Sequence, residues 1–170
     1  VIASENEAIE LSKNLPLILT QDYPNYEVIV VNNGSTDESD DLLQSLKLTY
    51  PNLYFTYVPF AYDRKFSTRK LALTLGVKAA TGDIVIFTEP YSKPTSNKWI
   101  SSMMKEMTED KEVVLGYSFY TKTKQFFNRI ARFDNHLYSM QYLSMAVQNK
   151  PFTGTYRNVA YRKQLFFENK

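Results

Sequence analysis

The sequence of 170 residues contains no cysteine and a single histidine, His136. Without cysteine there can be no disulfide framework, no thiolate metal site and no thiol catalysis, and one imidazole cannot build a histidine-rich metal centre. The absence of cysteine fits a reducing compartment, so we expect a cytoplasmic location. No run of about 18 apolar residues is present, which predicts a soluble segment without a membrane-spanning helix.

Charge is nearly balanced over the whole chain but unevenly distributed along it. The 20 Lys and Arg exceed the 18 Asp and Glu by only two. Residues 1–90 carry 7 basic and 12 acidic residues, whereas residues 91–170 carry 13 and 6. The basic second half indicates either an anionic partner, such as lipid headgroups or an acidic substrate, or an ordinary solvated surface. We expect no nucleic-acid partner.

Apolar periodicity predicts alternating strands and helices in the first part of the chain. Strands are expected at residues 1–4, 27–31, 53–59 and 83–88. Helices are expected after a cap at Asn6 and at residues 38–48 and 67–80. The β-branched run at 27–31 is typical of a strand covered on both faces, and Gly34 permits a tight turn after it. This order predicts an α/β fold, with a mostly parallel Rossmann-like sheet and helices on both faces.

The second part of the chain departs from this alternation. We expect a helix at residues 97–107, a strand at 113–120, a long amphipathic helix at 125–147 and an ordered element at 157–162. The apolar residues of the long helix recur every three or four positions, which is typical of a helix that packs in the core. A basic amphipathic helix lying on a membrane surface is the alternative.

Polar residues follow three of the predicted strands. Glu5 follows the first, Asn33 follows the second, and Glu89 follows the fourth. Ligands bind at the carboxyl ends of the strands in such sheets. We therefore expect these three side chains, together with Ser4 at the end of the first strand, to converge on one cleft.

Several motifs, in their order and spacing, resemble the family 2 glycosyltransferases, which are inverting enzymes of the GT-A fold. The motifs are residues 3–7, 21–27, 28–37, 70–73, 79–83, 88–94 and 151–158. The resemblance covers nearly all of the chain. It implies one glycosyltransferase-like domain over residues 1–170, with a nucleotide-sugar-binding half at 1–94 and an acceptor-side half at 95–170 that continues past the end of this chain.

The activity implied by the resemblance is transfer of a hexose from a nucleotide-diphosphate donor, a UDP-sugar above all, to a hydroxyl acceptor with inversion. The acceptor would be a glycan or a lipid-linked molecule of a cell-envelope polysaccharide, handled at the inner face of a membrane. Two alternatives remain open. One is a degenerate glycosyltransferase-like module that binds a nucleotide or glycan without chemistry. The other is a sugar-1-phosphate nucleotidyltransferase, weakened because no glycine-rich phosphate loop follows the first strand.

The resemblance also implies site residues. The donor-binding positions are Ala3, Glu5, Asn32, Asn33, Lys70 and Glu89. The acceptor-side positions are Gly154, Tyr156, Arg157 and Asn158. Asn33 stands where the family has an aspartate that accepts from the uracil N–H, and its amide can still pair with a base edge. Lys70 would offset diphosphate charge, although a solvated lysine is the alternative.

The metal motif and the catalytic base depart from the family pattern. The family carries Asp-X-Asp on a Mg²⁺ or Mn²⁺ ion, where this chain has Glu89, Pro90 and Tyr91. Glu89 would be a weak ligand for the cation, and metal-independent transfer or lost activity are the alternatives. Among the last residues of the chain only Glu168 is acidic near the expected position, and a helix end suits it better than a pocket. We therefore expect the base to lie beyond Lys170.

Overall fold

A computed structural model describes residues 1–59 and 68–168. The six strands are β1 (Ile2–Ser4), β2 (Val28–Asn32), β3 (Leu53–Tyr57), β4 (Ile84–Phe87), β5 (Val113–Leu115) and β6 (Val159–Arg162). The six helices are α1 (Ala8–Leu19), α2 (Ser39–Thr49), α3 (Thr68–Ala79), α4 (Trp99–Glu106), α5 (Phe126–Val147) and α6 (Lys163–Glu168). The predicted start of the third helix at residue 67 lies outside the described residues.

The first three strands form a parallel sheet in which β2 lies between β1 and β3. The end of β4 adjoins β1 in the same direction, through a parallel bridge between Ile2 and Thr88. The carboxyl ends of β1, β2 and β4 therefore face the same edge. We call this edge of the molecule the carboxyl edge. The predicted α/β class is confirmed.

A second three-stranded sheet, in the order β4-β6-β5, adjoins the parallel sheet. β6 pairs with β4 on one side and with β5 on the other, antiparallel to both. The expected element at 157–162 is thus β6, whereas the strand expected at 113–120 ends at Leu115. Because β6 runs against β4, the residues just before β6 lie at the carboxyl edge.

Apolar residues cover both faces of the parallel sheet. Val28 and Val30 face α1 and α2, while Ile29 and Val31 face α3. All four side chains are buried, which confirms that β2 is covered on both faces. A smaller cluster of Met103, Val114 and Ala160 joins α4 to the antiparallel strands.

The turns at the carboxyl edge differ in one detail from the sequence prediction. Asn6 does not cap α1, because its φ of 55° places it in the left-handed region and its Oδ1 accepts from the Thr36 N–H at 2.7 Å. The Ala8 N–H at the start of α1 instead donates to Asp37 Oδ2 at 2.9 Å. Gly34 has a φ of 79°, which confirms the predicted tight turn.

The long helix α5 is amphipathic as predicted, but it does not pack as core. Only Ser139 and Tyr142 are buried among its residues. Large apolar side chains along the helix are exposed: Phe126, Phe127, Ile130, Phe133, Leu137, Met140 and Val147. The core interpretation of this helix is therefore wrong. Within residues 1–59 and 68–168, no helix is both long and apolar enough to cross a bilayer.

Candidate active site

Of the side chains expected to meet, those of Glu5, Asn33 and Glu89 lie at the carboxyl edge, while Ser4 is buried at the end of β1. The Asn33 Nδ2 donates to Glu5 Oε2 at 2.8 Å and to Thr68 Oγ1 at 3.1 Å. These bonds join the ends of β1 and β2 to the start of α3. The next residue of α3, Arg69, forms an ion pair with Glu89, which follows β4 by two residues. One continuous chain of contacts therefore runs from Glu5 to Glu89.

Two of the expected donor-binding residues, Asn32 and Ala3, have side chains that are buried and contact other protein groups. Asn32 is buried, its Nδ2 bonds to Asp40, and its Oδ1 accepts from the Ser35 N–H at 2.8 Å. The Ala3 side chain packs in the core with Ile29. Asn32 therefore holds the turn after β2 and Ala3 supports the sheet, while Asn33 is the amide placed at the edge.

Glu89 is fully buried, with 0% of its surface exposed, and is neutralised by two guanidinium groups. Its Oε1 pairs with Arg69. Its Oε2 lies 3.2 Å from Arg157 Nε, although the two atoms are not aligned as a hydrogen bond. A buried carboxylate needs such partners because desolvation otherwise disfavours its charge. Glu89 thus connects α3 to the loop before β6.

The loop before β6 carries the expected acceptor-side residues, and close packing fixes it. Asn158 Oδ1 accepts from Trp99 Nε1 at 2.9 Å, and its Nδ2 donates to the Tyr117 carbonyl at 3.2 Å. A side chain at Gly116 would place its Cβ only 2.2 Å from Asn158 Nδ2. Similarly, a Cβ on Gly154 would lie 2.7 Å from Leu115. Asn158 and Gly154 therefore shape the loop from within.

Arg157 and Tyr156 point from this loop towards the site. Arg157 Nη1 donates to Tyr120 Oη at 3.0 Å, and its guanidinium lies 5.6 Å from the Tyr120 ring centre. Burial opposes the charge of Arg157, but Tyr120, Tyr91 and Glu89 together raise the pKa of its guanidinium. The Tyr156 ring centre lies 5.0 Å from the Arg69 guanidinium. Both arginines are therefore held against aromatic rings.

A cavity of about 430 Å³ opens beside Arg157 at the carboxyl edge. Its lining includes Thr88, Tyr91, Tyr120 and Asn158. A larger cavity of about 640 Å³ lies among the amino ends of β2 and β4, with Glu27 and Asp83 in its lining. We assign the candidate site to the smaller cavity and the adjoining edge, because parallel α/β sheets bind ligands at the carboxyl ends of their strands.

The residues in the metal position do not fit a divalent cation. Both oxygens of Glu89 already face guanidinium groups. Burial raises the pKa of Tyr91, and the neighbouring Glu89 carboxylate raises it further, so the phenol stays protonated and is a poor ligand. Within the described part of the chain, no three His, Cys, Asp or Glu side chains are grouped to hold an ion. The geometry thus disagrees with the expected cation at Glu89.

Sequence reasoning missed Arg69 as a site residue. Lys70, which was expected to face the donor, is exposed on the first turn of α3, and Arg69 beside it reaches Glu89. The available signal was position: α3 begins at the carboxyl edge, so any cation on its first turn lies near the strand ends. Glu168 ends α6, which follows β6 at the opposite edge of the sheet. Glu168 therefore lies far from the candidate site, in agreement with the expectation that it is not the catalytic base.

The fold and the placement of the site define a GT-A-type α/β domain. The model of the family described as "Glycosyl transferase family 2" matches residues 1–168. The chain therefore belongs to glycosyl transferase family 2. No curated protein matches this chain.

Solved structures share the fold at low sequence identity. A Pyrobaculum calidifontis mannosyltransferase, PcManGT, in complex with GDP-Man and Mn²⁺ is 23% identical with a TM-score of 0.70, over 98% of this chain and 44% of its own. S. aureus TarS 1-349 in complex with UDP-GlcNAc is 17% identical with a TM-score of 0.62, over 99% and 46%. M. tuberculosis glucosyl-3-phosphoglycerate synthase is 19% identical with a TM-score of 0.53, over 96% and 56%. The chain thus spans about half the length of these proteins.

Proposed function

We propose that this chain holds the donor-binding half and part of the acceptor side of a glycosyltransferase that uses a nucleotide-diphosphate sugar. The observation that carries the proposal is the meeting of Asn33, Arg69, Glu89 and Arg157 at the carboxyl edge. This edge offers an amide for a base and cations for phosphates. Membership of family 2 supports the reaction class.

A UDP-sugar is the donor that we propose. Both N–H groups of the Asn33 amide donate to Glu5 and Thr68, so Asn33 offers its carbonyl oxygen as an acceptor, and uracil presents an N–H donor on its pairing edge. TarS is solved with UDP and with UDP-GlcNAc, which supports this choice, whereas PcManGT with GDP-Man makes guanine the base to test against it. Residues 1–94 would hold this donor.

Residues 95–170 form the acceptor side in this proposal, and they receive a hydroxyl of a glycan or lipid-linked acceptor. Transfer of a hexose with inversion requires a base about 3 Å from that hydroxyl. The carboxylates of the described residues 113–168 are Asp134, which is exposed on α5, and Glu168, which lies at the opposite edge of the sheet, so we propose that a longer chain supplies the base. The cavity beside Arg157 and Tyr120 gives the acceptor an approach to the donor.

Calorimetric titration of the chain with UDP, GDP and CTP, each with and without Mn²⁺, tests the donor. We expect UDP to bind most tightly. Asn33→Ala should lower the affinity for UDP by about tenfold, because the base loses its amide partner. Asn25→Ala, an exposed asparagine at the opposite edge, is the matched control and should bind UDP as the parent chain does. Equal affinity of the parent for all three nucleotides, or an unchanged affinity of Asn33→Ala, would contradict the donor assignment.

The degenerate binding module remains the second candidate because Tyr91 replaces a carboxylate and Glu89 is engaged by arginines. Activity measurements on a longer chain that includes the residues beyond Lys170 distinguish the enzyme from the binding module. Release of UDP from a UDP-sugar in the presence of acceptor supports the enzyme. Binding of UDP with no turnover by that longer chain supports the module.

We also propose that α5 lies on an anionic membrane surface. Its apolar surface, made of Phe126, Phe127, Ile130, Phe133, Leu137 and Met140, is exposed. Four cations border it, namely Lys122, Lys124, Arg129 and Arg132, and Asp134 is the one acidic residue between 118 and 150. Exposed apolar side chains beside cations are the composition that binds anionic bilayers. The expected cytoplasmic location stays a prediction.

Vesicle flotation tests this contact. We expect the chain to float with phosphatidylglycerol vesicles and to stay behind with phosphatidylcholine vesicles, because the cations need an anionic surface. Phe127→Ser should reduce flotation severalfold. Leu48→Ser removes an even more exposed apolar side chain, from α2, and should leave flotation unchanged. Equal losses in both variants, or equal binding to both vesicles, would contradict a specific α5 surface.

A further inference from the structure

Glu89 stands at the metal position but faces two arginines, which points to a different way of binding the donor. Building on the proposed donor, we propose that Arg69 and Arg157, fixed by Glu89, bind the donor diphosphate in place of a divalent cation. The two guanidinium groups come from α3 and from the loop before β6. They meet where family 2 enzymes have their metal motif.

The balance of charge around Glu89 favours an anion. One buried carboxylate faces two guanidinium groups, so this trio carries a net positive charge. Lys70 adds a further cation on the same turn of α3. Glu7 opposes them, because its carboxyl is near both Arg69 and Glu89, and burial raises its pKa. Glu5, which accepts from Asn33 at the same edge, is a further carboxylate, so the positive charge is local to the trio of Glu89, Arg69 and Arg157. An Asp-X-Asp pair without metal would instead repel a diphosphate.

The two arginines are accessible yet held in place. The side chain of Arg69 is 44% exposed and that of Arg157 is 32% exposed, while Glu89 beneath them is 0% exposed. Contacts with the rings of Tyr156 and Tyr120 restrict their rotamers. Each guanidinium has five N–H donors in a planar fork that matches phosphate oxygens, and Glu89 takes only part of them. Cations fixed in advance neutralise developing charge without reorganisation.

The position of the pair suits a diphosphate attached to a base at Asn33. Thr68 accepts from Asn33, and Arg69 follows it directly on α3. A base that contacts the Asn33 amide therefore has its phosphates on the side of the arginines. Arg157 lines the cavity where the sugar and acceptor are proposed to meet, so it lies on the far side of the diphosphate.

Titration with UDP and UMP in excess EDTA tests the inference. The parent chain should bind UDP without metal, and Mn²⁺ should change its affinity by less than about threefold, because the arginines already supply the charge. UDP should bind about tenfold more tightly than UMP, since the β-phosphate gains the guanidinium contacts. In Arg69→Ala and in Arg157→Ala this advantage of UDP over UMP should fall to about twofold or less.

Lys78→Ala is the matched control, because it removes one cation from the far end of the same helix. It should keep the full advantage of UDP over UMP. If Arg69 or Arg157 has only a structural role, its alanine variant should lose affinity for UDP and UMP equally. An unchanged ratio of the two affinities would overturn the inference. If either alanine variant fails to fold by circular dichroism, Arg69→Lys and Arg157→Lys keep the charge without the fork and should still reduce the ratio.

The outcomes separate this inference from the proposed function. Binding of UDP that requires Mn²⁺ overturns the arginine site and leaves the donor assignment intact. Absence of UDP binding with and without Mn²⁺ overturns the donor assignment itself. Metal-independent binding with a UDP to UMP ratio that depends on both arginines supports both.

Discussion

Helices α2 and α5 have the same kind of apolar periodicity, yet they meet very different surroundings. Leu43 of α2 is 0% exposed and packs with α1 and β2, whereas Leu137 of α5 is 44% exposed. α5 is attached through its polar and aromatic side instead. Tyr142 is buried and donates to the Gly116 carbonyl at 3.3 Å, and Asn135 donates to the Ser118 carbonyl at 2.8 Å. An apolar stripe thus predicts an amphipathic helix, but it does not say what covers the stripe.

The strongest test of this contrast compares the same substitution in the two helices. Leu43→Ala should lower the free energy of unfolding by about 2–5 kcal/mol, because it removes a fully buried side chain and leaves a cavity. Leu137→Ala should change it by less than about 0.5 kcal/mol, as an exposed position does. Urea denaturation followed by circular dichroism measures both. A large loss in Leu137→Ala would show that α5 is covered by packing in solution.

A second test concerns the junction that attaches the α5 region to the site. Gly116→Ala would force a Cβ against Asn158, which is bonded to Trp99 and precedes β6. We expect a loss of about 1–3 kcal/mol in the free energy of unfolding from this overpacking. UDP binding should weaken too, because Arg157 moves with Asn158.

Gly82→Ala is the control for this junction, since its Cβ would meet only the Ile84 carbonyl at 3.7 Å. It should be tolerated within about 0.5 kcal/mol. Equal stabilities of the two variants by urea denaturation would mean that the junction is loose and that α5 is poorly attached.

The smallest expected effect on stability concerns Glu7 at the start of α1. This helix begins beside the charged site, whereas α5 begins in an exposed segment. Burial, the largest cause, raises the pKa of Glu7, so the folded state holds its proton more firmly than the unfolded state. This stabilisation is complete below the usual pKa of 4.5 and is lost as the pH rises through the raised value.

Glu7→Gln replaces the carboxylate with a neutral amide and so removes the free-energy cost of burying the charged form at neutral pH. The variant should match the parent at about pH 4 and exceed its free energy of unfolding by less than about 1 kcal/mol at about pH 7, because solvent screens a partly exposed group. Urea denaturation at both values measures the difference. A variant that is less stable than the parent at the higher value would show that the charged form of Glu7 is favourable beside Arg69.

The first half of the fold could be predicted from sequence because its signals are local. The β-branched run of β2 and the turn at Gly34 follow from residues adjacent in the chain. Arg69 could not be assigned in the same way, because the Glu89 that it contacts lies on another element and only the folded sheet brings them together. Asn32 and Asn33 are neighbours with the same side chain, but Asn32 is the last residue of the buried strand β2, whereas Asn33 lies just beyond the strand at the carboxyl edge.

The antiparallel pairing of β4 with β6 also has a kinetic consequence. β1, β2 and β3 are joined by short crossovers, whereas Val85 of β4 finds its partner Tyr161 only after the whole of α4, β5 and α5 has been traversed. Closing such a long segment costs entropy before any contact repays it, and distant pairings slow folding. During synthesis the parallel strands can therefore assemble while β4 still lacks its neighbour. Among the described residues, Arg157 in the loop before β6 reaches Glu89 only when this long segment has closed, so we expect this ion pair to form after the parallel strands have assembled.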